Sequence, residues 1–325
     1  MSDYTYSATR ARALEHTLLT DTQLELLMGA ASFEEAHTHL HETFLAPSIA
    51  RRPANDIPQI LEATLAEAKA LLTSIAPEPE VLDILWLEYD FYNLAAIIKG
   101  STKGAPSDEI EALCFTTGTF TPRTVLDHFE AKTLHRLDRH LAAAADRARS
   151  FTEVSEVDRI TNIAYFQAIR SRAEAIGDRF IHTFVSLLID FFNVQANLRS
   201  LSYGTASDAP RSVYINGGSL PRRSLESTDT LLEALKRIGS PRQWDKAVKE
   251  YKDTGSYARI ETVFDNYIAD YVNEQSVSIF TVASLFSYFL AVKNNVQIIR
   301  TVLVSKQTGL SEYEIRKIIR KRYGK

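Results

Sequence analysis

Asp190, Asn193 and Asn197 stand at i, i+3 and i+7 in "IDFFNVQANLRS" (189–200), surrounded by Ile, Phe, Val and Leu. On a helix they share one edge, which Ser186 and Ser200 extend. A carboxylate in such a file could suggest a metal site. Each buried polar group left without a partner costs about 1–3 kcal/mol. The file must therefore meet polar partners or water; in three modules around an axis it could line a wet central cavity or bond to the next module. Three further carboxylates, Glu62, Asp158 and Glu261, open "LEATL", "VDRIT" and "IETVF". Catalytic carboxylates would have to converge on one cleft in different roles. Acids that recur at regular intervals more simply repeat one structural job, capping or bonding between helices.

Other side chains with metal or nucleophile chemistry carry weaker signals. His37, His39 and His41 lie in "HTHLHE", and His37 and His41 share a helical face. A zinc site needs a third ligand, with Glu34 the local choice. The competing reading is a solvated helix face. Asp90 and Asp190 belong to no DDxxD-type cluster. The single cysteine, Cys114, excludes an intrachain disulfide and reads as a small buried apolar residue. GxxxxGK[ST], GxSxG and GxGxxG are absent, so nucleotide hydrolysis is not expected of this chain.

The polar file is not unique. "YDFYNLAAIIKG" (89–100) and "AVKNNVQIIRTVL" (291–303) repeat its pattern, with Asn at 93, 193 and 294. Six residues after each Asn comes a base: Lys99, Arg199 and Arg300. Three residues before it stand Asp90, Asp190 and Ala291, so the third copy has lost its acid. "GTFTPRTV" (118–125) matches "GSLPRRSL" (218–225), and "GAPSDEIEAL" (104–113) matches "GLSEYEIRKI" (309–318). The ordered matches predict one unit of about 100 residues written three times, with boundaries at 1–105, 106–205 and 206–325. If three such modules surround an axis, the recurring bases form a rim suited to docking. Otherwise they cap carbonyls and make local ion pairs.

The elements that must position these residues are helical. Each unit reads as short helices, then a long amphipathic helix carrying the acid, then the Asn helix. Thr20 or Asp21 is a helix cap, and "SFEE" (32–35) is a start signal. "IPQILEATLAEAKALLTSI" (57–75) has a helical apolar stripe. Only "SVYINGGSL" (212–220) alternates like a strand, with a turn at Gly217–Gly218. "KGSTKGAPS" (99–107) and "YGTASDAPRS" (203–212) read as loops. With 12 glycines and 10 prolines in 325 residues, chain breakers are few for a globular protein, where they average about 7% and about 5%.

The net charge of −4 argues against a nucleic-acid partner. The N-terminus has no apolar stretch of signal-peptide type. Residues 275–292 are uncharged but hold four serines, a threonine and a tyrosine, which predicts an interior helix and not a membrane span. The C-terminal "RKIIRKRYGK" holds six bases, either a solvated helix end or a contact for an acidic partner or anionic lipid.

The threefold "D-F-x-N-x5-[KR]" helix, the "YSATRARALEHTLL" opening and the "GG-x-L" turn at 217–220 resemble the C/d-subunit family of V-type and A-type rotary ATPases. The closing stretch from "IETVFDNYIADYV" to "IRKIIRKRYG" shares the resemblance, which runs from about Tyr4 to Tyr323. It implies an all-α, funnel-shaped body of three modules around a pseudo-threefold axis, with a central polar cavity. It implies a protein that catalyses nothing, needs no cofactor or metal, and lies peripherally on the cytoplasmic face of a membrane. Its implied partners are the central rotor shaft and the membrane proteolipid ring, between which it passes torque for proton or sodium transport. The family pattern has acids where this chain has Asn294 and Asn295. Two other readings of the residues stay open: a free-standing helical-repeat scaffold, and an all-helical enzyme with its site in the polar interior. The interaction candidates are Lys99, Arg199, Arg300, Asp90, Asn93, Asp190, Asn193, Asn197 and Asn294.

Overall fold

The computed structural model describes residues 3–53, 56–151, 153–202, 214–236, 238 and 241–323, with the side chains of 199–202 and 241 outside that description. The described residues are helical and contain no strand. Helices α1 (Thr5–Glu15), α2 (Asp21–Gly29), α3 (Phe33–His39) and the single turn α4 (Ala46–Ile49) lead into a long pair, α5 (Ile57–Ile75) and α6 (Asp83–Thr102). Then α7 (Ser107–Ala112), α8 (Pro122–Glu130) and α9 (Arg139–Ala148) lead into a second pair, α10 (Val154–Ile176) and α11 (Arg179–Ser202). Finally α12 (Thr228–Leu235) and α13 (Pro241–Thr254) precede α14 (Ala258–Gln275) and α15 (Ala283–Gln307), and α16 (Glu312–Ile318) closes the chain. The order short helices, acid helix, Asn helix thus occurs three times.

Local chemistry explains the helix starts. Thr20 caps α2 in a capping box with Gln23, and Ser32 accepts from the Glu35 N–H at the head of α3. Ser311 does the same for α16 with Glu314. Gly177 ends α10 in the left-handed conformation, at φ +70°.

The described chain divides into two compact units. One comprises Met1–Tyr89, Phe115–Thr121 and Val272–Lys325, and the other Asp90–Cys114 and Pro122–Tyr271. In the first, α1, α5 and α15 pack on one another. The Trp86 and Phe289 rings meet edge-on there, with centroids 4.5 Å apart. In the second, α10 packs against α9 and α11. A separate apolar cluster gathers Val194 and Leu198 of α11 with Leu231, Leu235, Trp244 and Phe264.

Two expectations are corrected. Residues 275–292 are not one helix: α14 stops at Gln275 and α15 starts at Ala283. Serines break the run between them. Ser284 Oγ donates to the Ser276 carbonyl, and Ser278 Oγ accepts from the Phe280 N–H. Val277 and Phe280 in this connection are more than two-thirds exposed. The alternating stretch near 212–220 is no strand over its described residues, 214–220. Its main-chain groups bond instead to side chains of α11. The loop expected at 203–212 lies outside the described residues. Cys114 is half-buried, donating to the Ile110 carbonyl at 3.4 Å.

Candidate functional site: a polar file that fastens the chain

The polar file of α11 is buried: Asp190 and Asn193 are at most 1% exposed and Asn197 6%. Its partners are main-chain groups of residues 215–225. Asn193 Nδ2 donates to the Ile215 carbonyl at 2.9 Å, and its Oδ1 accepts from the Ile215 N–H at 2.8 Å. Asn197 Nδ2 donates to the Leu225 carbonyl at 2.6 Å. Asp190 accepts three bonds: from the Ser219 N–H (2.9 Å), the Ser219 hydroxyl (2.5 Å) and the Leu220 N–H (2.9 Å). Burial pushes the Asp190 carboxyl up, against these hydrogen bonds from Ser219 and Leu220.

The file therefore holds an irregular segment against an apolar helix by satisfying its backbone, as burial demands. Close approach requires glycine: a Cβ on Gly218 would lie 2.1 Å from Asp190 Oδ1.

The third Asn helix repeats the device. Asn294 Oδ1 accepts from the Tyr323 N–H at 2.7 Å, and its Nδ2 donates to the Lys321 carbonyl at 3.1 Å. Asn295, which the repeat pattern does not single out, is fully buried and donates to the Ala291 and Tyr323 carbonyls. In α6, Asp90 and Asn93 are also fully buried.

The recurring bases are placed unequally. Lys99 makes an ion pair with Asp158 of α10. Arg300 of α15 is half-buried and has no hydrogen bond or ion pair among the described residues. The side chain of Arg199 lies outside the described residues.

The three acids do structural work. Asp158 takes Lys99, and Glu261 accepts from Gln195 Nε2 at 2.6 Å. Glu62 Oε1 accepts from the N–H and hydroxyl of both Thr116 and Thr117, at 2.6–3.1 Å. Sequence reasoning missed Gln195, which carries no periodic signal, and the pair Lys293–Glu88.

The imidazoles of His37 and His41 meet edge-on with centroids 6.0 Å apart. Among the described residues no group of three His, Cys, Asp or Glu side chains could hold a metal. Two of the C-terminal bases are engaged on α2: Arg316 grips Glu25 with both terminal nitrogens, and Arg322 pairs with Asp21. Among the described residues no helix is long and apolar enough to cross a membrane.

On α11 and α15 these polar side chains spend their hydrogen bonds on the chain's own backbone. Comparison with known proteins supplies the family. The model of the ATP synthase (C/AC39) subunit family matches residues 7–318. The chain belongs to that family. It is similar to the C subunit of the A-type ATP synthase of Pyrococcus horikoshii, 24% identical over 92% of this chain and 85% of that protein. The same subunit from Methanocaldococcus jannaschii is 21% identical over 98% and 86%, and that from Thermococcus kodakarensis 23% over 97% and 90%.

Proposed function

We propose that this chain is the non-catalytic central-stalk subunit of a V/A-type rotary ATPase, seated between the rotor shaft and the proteolipid ring. It passes torque between them in ATP-coupled proton or sodium transport, on the cytoplasmic face of the membrane and attached through its partner subunits. In this reading residues 1–105, 106–205 and 206–325 are three helical modules around a pseudo-threefold axis, forming a funnel with a central polar cavity.

The observation that carries the reading is a sequence of contacts. Lys99 of the first Asn helix pairs with Asp158 of the second acid helix. Gln195 of the second Asn helix donates to Glu261 of the third acid helix. The third Asn helix, α15, packs against the first acid helix, α5. Each of these contacts joins an Asn helix to an acid helix, the pairing by which repeated modules would support one another.

Torque transfer needs no chemistry. It needs a stiff body and two interfaces that do not slip, and close-packed helices supply the stiffness. The polar file adds to it by clamping the segment after α11. Arg300, half-buried and without a partner among the described residues, is the recurring base best placed to meet an acidic group of a partner protein.

The test is binding. The purified chain should capture the isolated shaft subunits without added nucleotide or metal. Stoichiometric metal, or a small molecule that the chain turns over, would instead favour an enzyme. Capture of unrelated peptides in place of the shaft would favour a free-standing scaffold.

A further inference from the structure

One cavity flanks the turn that the polar file fastens. It lies between α9, α10 and the turn at residues 214–216, encloses about 520 Å³, and is lined by Arg139, His140, Arg147, Arg170, Ser171 and Glu174 among others. Such a volume is within the range of small-ligand sites, about 300–1,000 Å³. Three guanidinium groups face one carboxylate, in a chain whose net charge is −4.

Two of the arginines are held in place. Gly217, at φ +114°, packs so closely that a Cβ there would lie 2.6 Å from Arg170 Cδ. Arg170 Nη1 donates to the Asn216 carbonyl at 3.0 Å, and its Nε is 3.3 Å from Glu174 Oε1. Arg139 Nη2 donates to Ser171 Oγ at 2.7 Å, and its Nε faces His140 Nε2 at 3.2 Å. The Arg147 guanidinium has no hydrogen bond or ion pair among the described residues, so its five donors are uncommitted.

We infer that this cavity binds a small phosphoryl oxyanion carrying at least two negative charges, with Arg139, Arg147 and Arg170 as its counter-charges. Planar guanidinium forks match phosphoryl oxygens two at a time, and several in one concave site favour phosphate over a lone carboxylate. Burial presses the His140 pKa below the usual histidine value; Asp138 opposes the shift, and Arg139 and Arg170 add to it. Such a site would stand whether or not the chain works in a rotor. Its ligand is recognised by chemistry that a free phosphate or a lipid headgroup can supply.

The experiment titrates the full chain with pyrophosphate in a calorimeter and, in a second arm, sediments it with phosphatidylcholine vesicles containing phosphatidic acid. One pyrophosphate per chain is expected, with a dissociation constant below about 1 mM. Arg139→Gln and Arg147→Gln should each weaken it about tenfold, as loss of a charge-assisted bond does. Arg147→Gln is the variant safe for folding, because Arg147 is exposed. Arg242→Gln, exposed on α13 outside the cavity, should change nothing. Saturable pyrophosphate binding without vesicle binding supports a free anion. Vesicle binding lost in the same two variants supports a lipid phosphate. No saturable binding in either arm, or equal weakening by Arg242→Gln, overturns the site.

Discussion

The Asn193 side chain pairs with Ile215 as a neighbouring strand would: it donates to the Ile215 carbonyl at 2.9 Å and accepts from the Ile215 N–H at 2.8 Å. One side chain thus satisfies both main-chain groups of a residue that is itself buried. Asn193→Leu should cost about 2–6 kcal/mol, since it strands a buried donor and a buried acceptor at about 1–3 kcal/mol each. Asn216→Leu, at the turn, serves as the control; its side chain has no bond to the file. Urea denaturation of the two variants checks this. Equal tolerance at both sites would mean that the file is not constrained.

Gly218 and Asp190 should behave as one unit. Gly218→Ala puts a Cβ 2.1 Å from Asp190 Oδ1, a separation that atoms do not tolerate. The carboxylate must move, and its bonds to Ser219 and Leu220 go with it. Asp190→Ala removes the clash together with those bonds. The double variant should therefore be more stable than the sum of the single effects by about 1 kcal/mol or more. Strict additivity in thermal or urea unfolding would contradict the contact.

Asp190 also gives a pH dependence of known sign. Its carboxyl titrates above the usual value of 3.8, chiefly through burial. The native state therefore holds this proton to higher pH than the unfolded chain does. The stabilisation from proton uptake is complete below the ordinary carboxyl pKa and is lost as pH climbs through the raised one. Asp190→Asn lacks this titration. The stability difference should shift in favour of the variant as pH rises above 3.8, read from denaturation midpoints at a series of pH values. A shift toward the wild type would show a carboxylate stabilised in the ionised form.

Much of this was legible in the sequence, and for physical reasons. Helix starts are local, so Thr20 and Ser32 announce α2 and α3. The Asn pattern marks one side-chain job on two of the long helices, α11 and α15, where Asn193 and Asn294 each bond both ways to the main chain. The buried partners were not legible. Asn193 reaches Ile215 and Asn294 reaches Tyr323, 22 and 29 residues away in sequence. Main-chain partners leave no mark on residue type. The alternation at 212–220 misled for the same reason, because its bonds go to side chains and not to a second strand. The break at 276–282 was hidden by apolar composition, and it depends on where individual serine hydroxyls turn.

The thiol of Cys114 is pushed up to about 11 from 9.0, by burial and then by Glu111. At mildly alkaline pH the thiolate fraction falls about a hundredfold for two pKa units, so iodoacetamide should modify it about a hundred times more slowly than a free thiol. Alkylation at the rate of free cysteine would contradict the packing around α7.

Lys99 and Arg300 separate the two roles open to the recurring bases. Lys99→Met should cost no more than about 1 kcal/mol, as for other partly exposed ion pairs, and should leave coupling unchanged. Arg300→Glu, alone or with Arg199→Glu, should leave the unfolding midpoint near the wild-type value while lowering ions pumped per ATP in reconstituted complexes. Normal coupling in the Arg300→Glu complex would remove the bases from the interface.

The most direct test of the torque-carrying role is a covalent tether. In a reconstituted complex, a single engineered disulfide would join this chain to the proteolipid ring. If the chain turns with the ring and carries torque, the tether leaves ATP-driven pumping intact and dithiothreitol changes nothing. A tether that halts pumping until reduced would contradict that role, because it would show that chain and ring must move past each other.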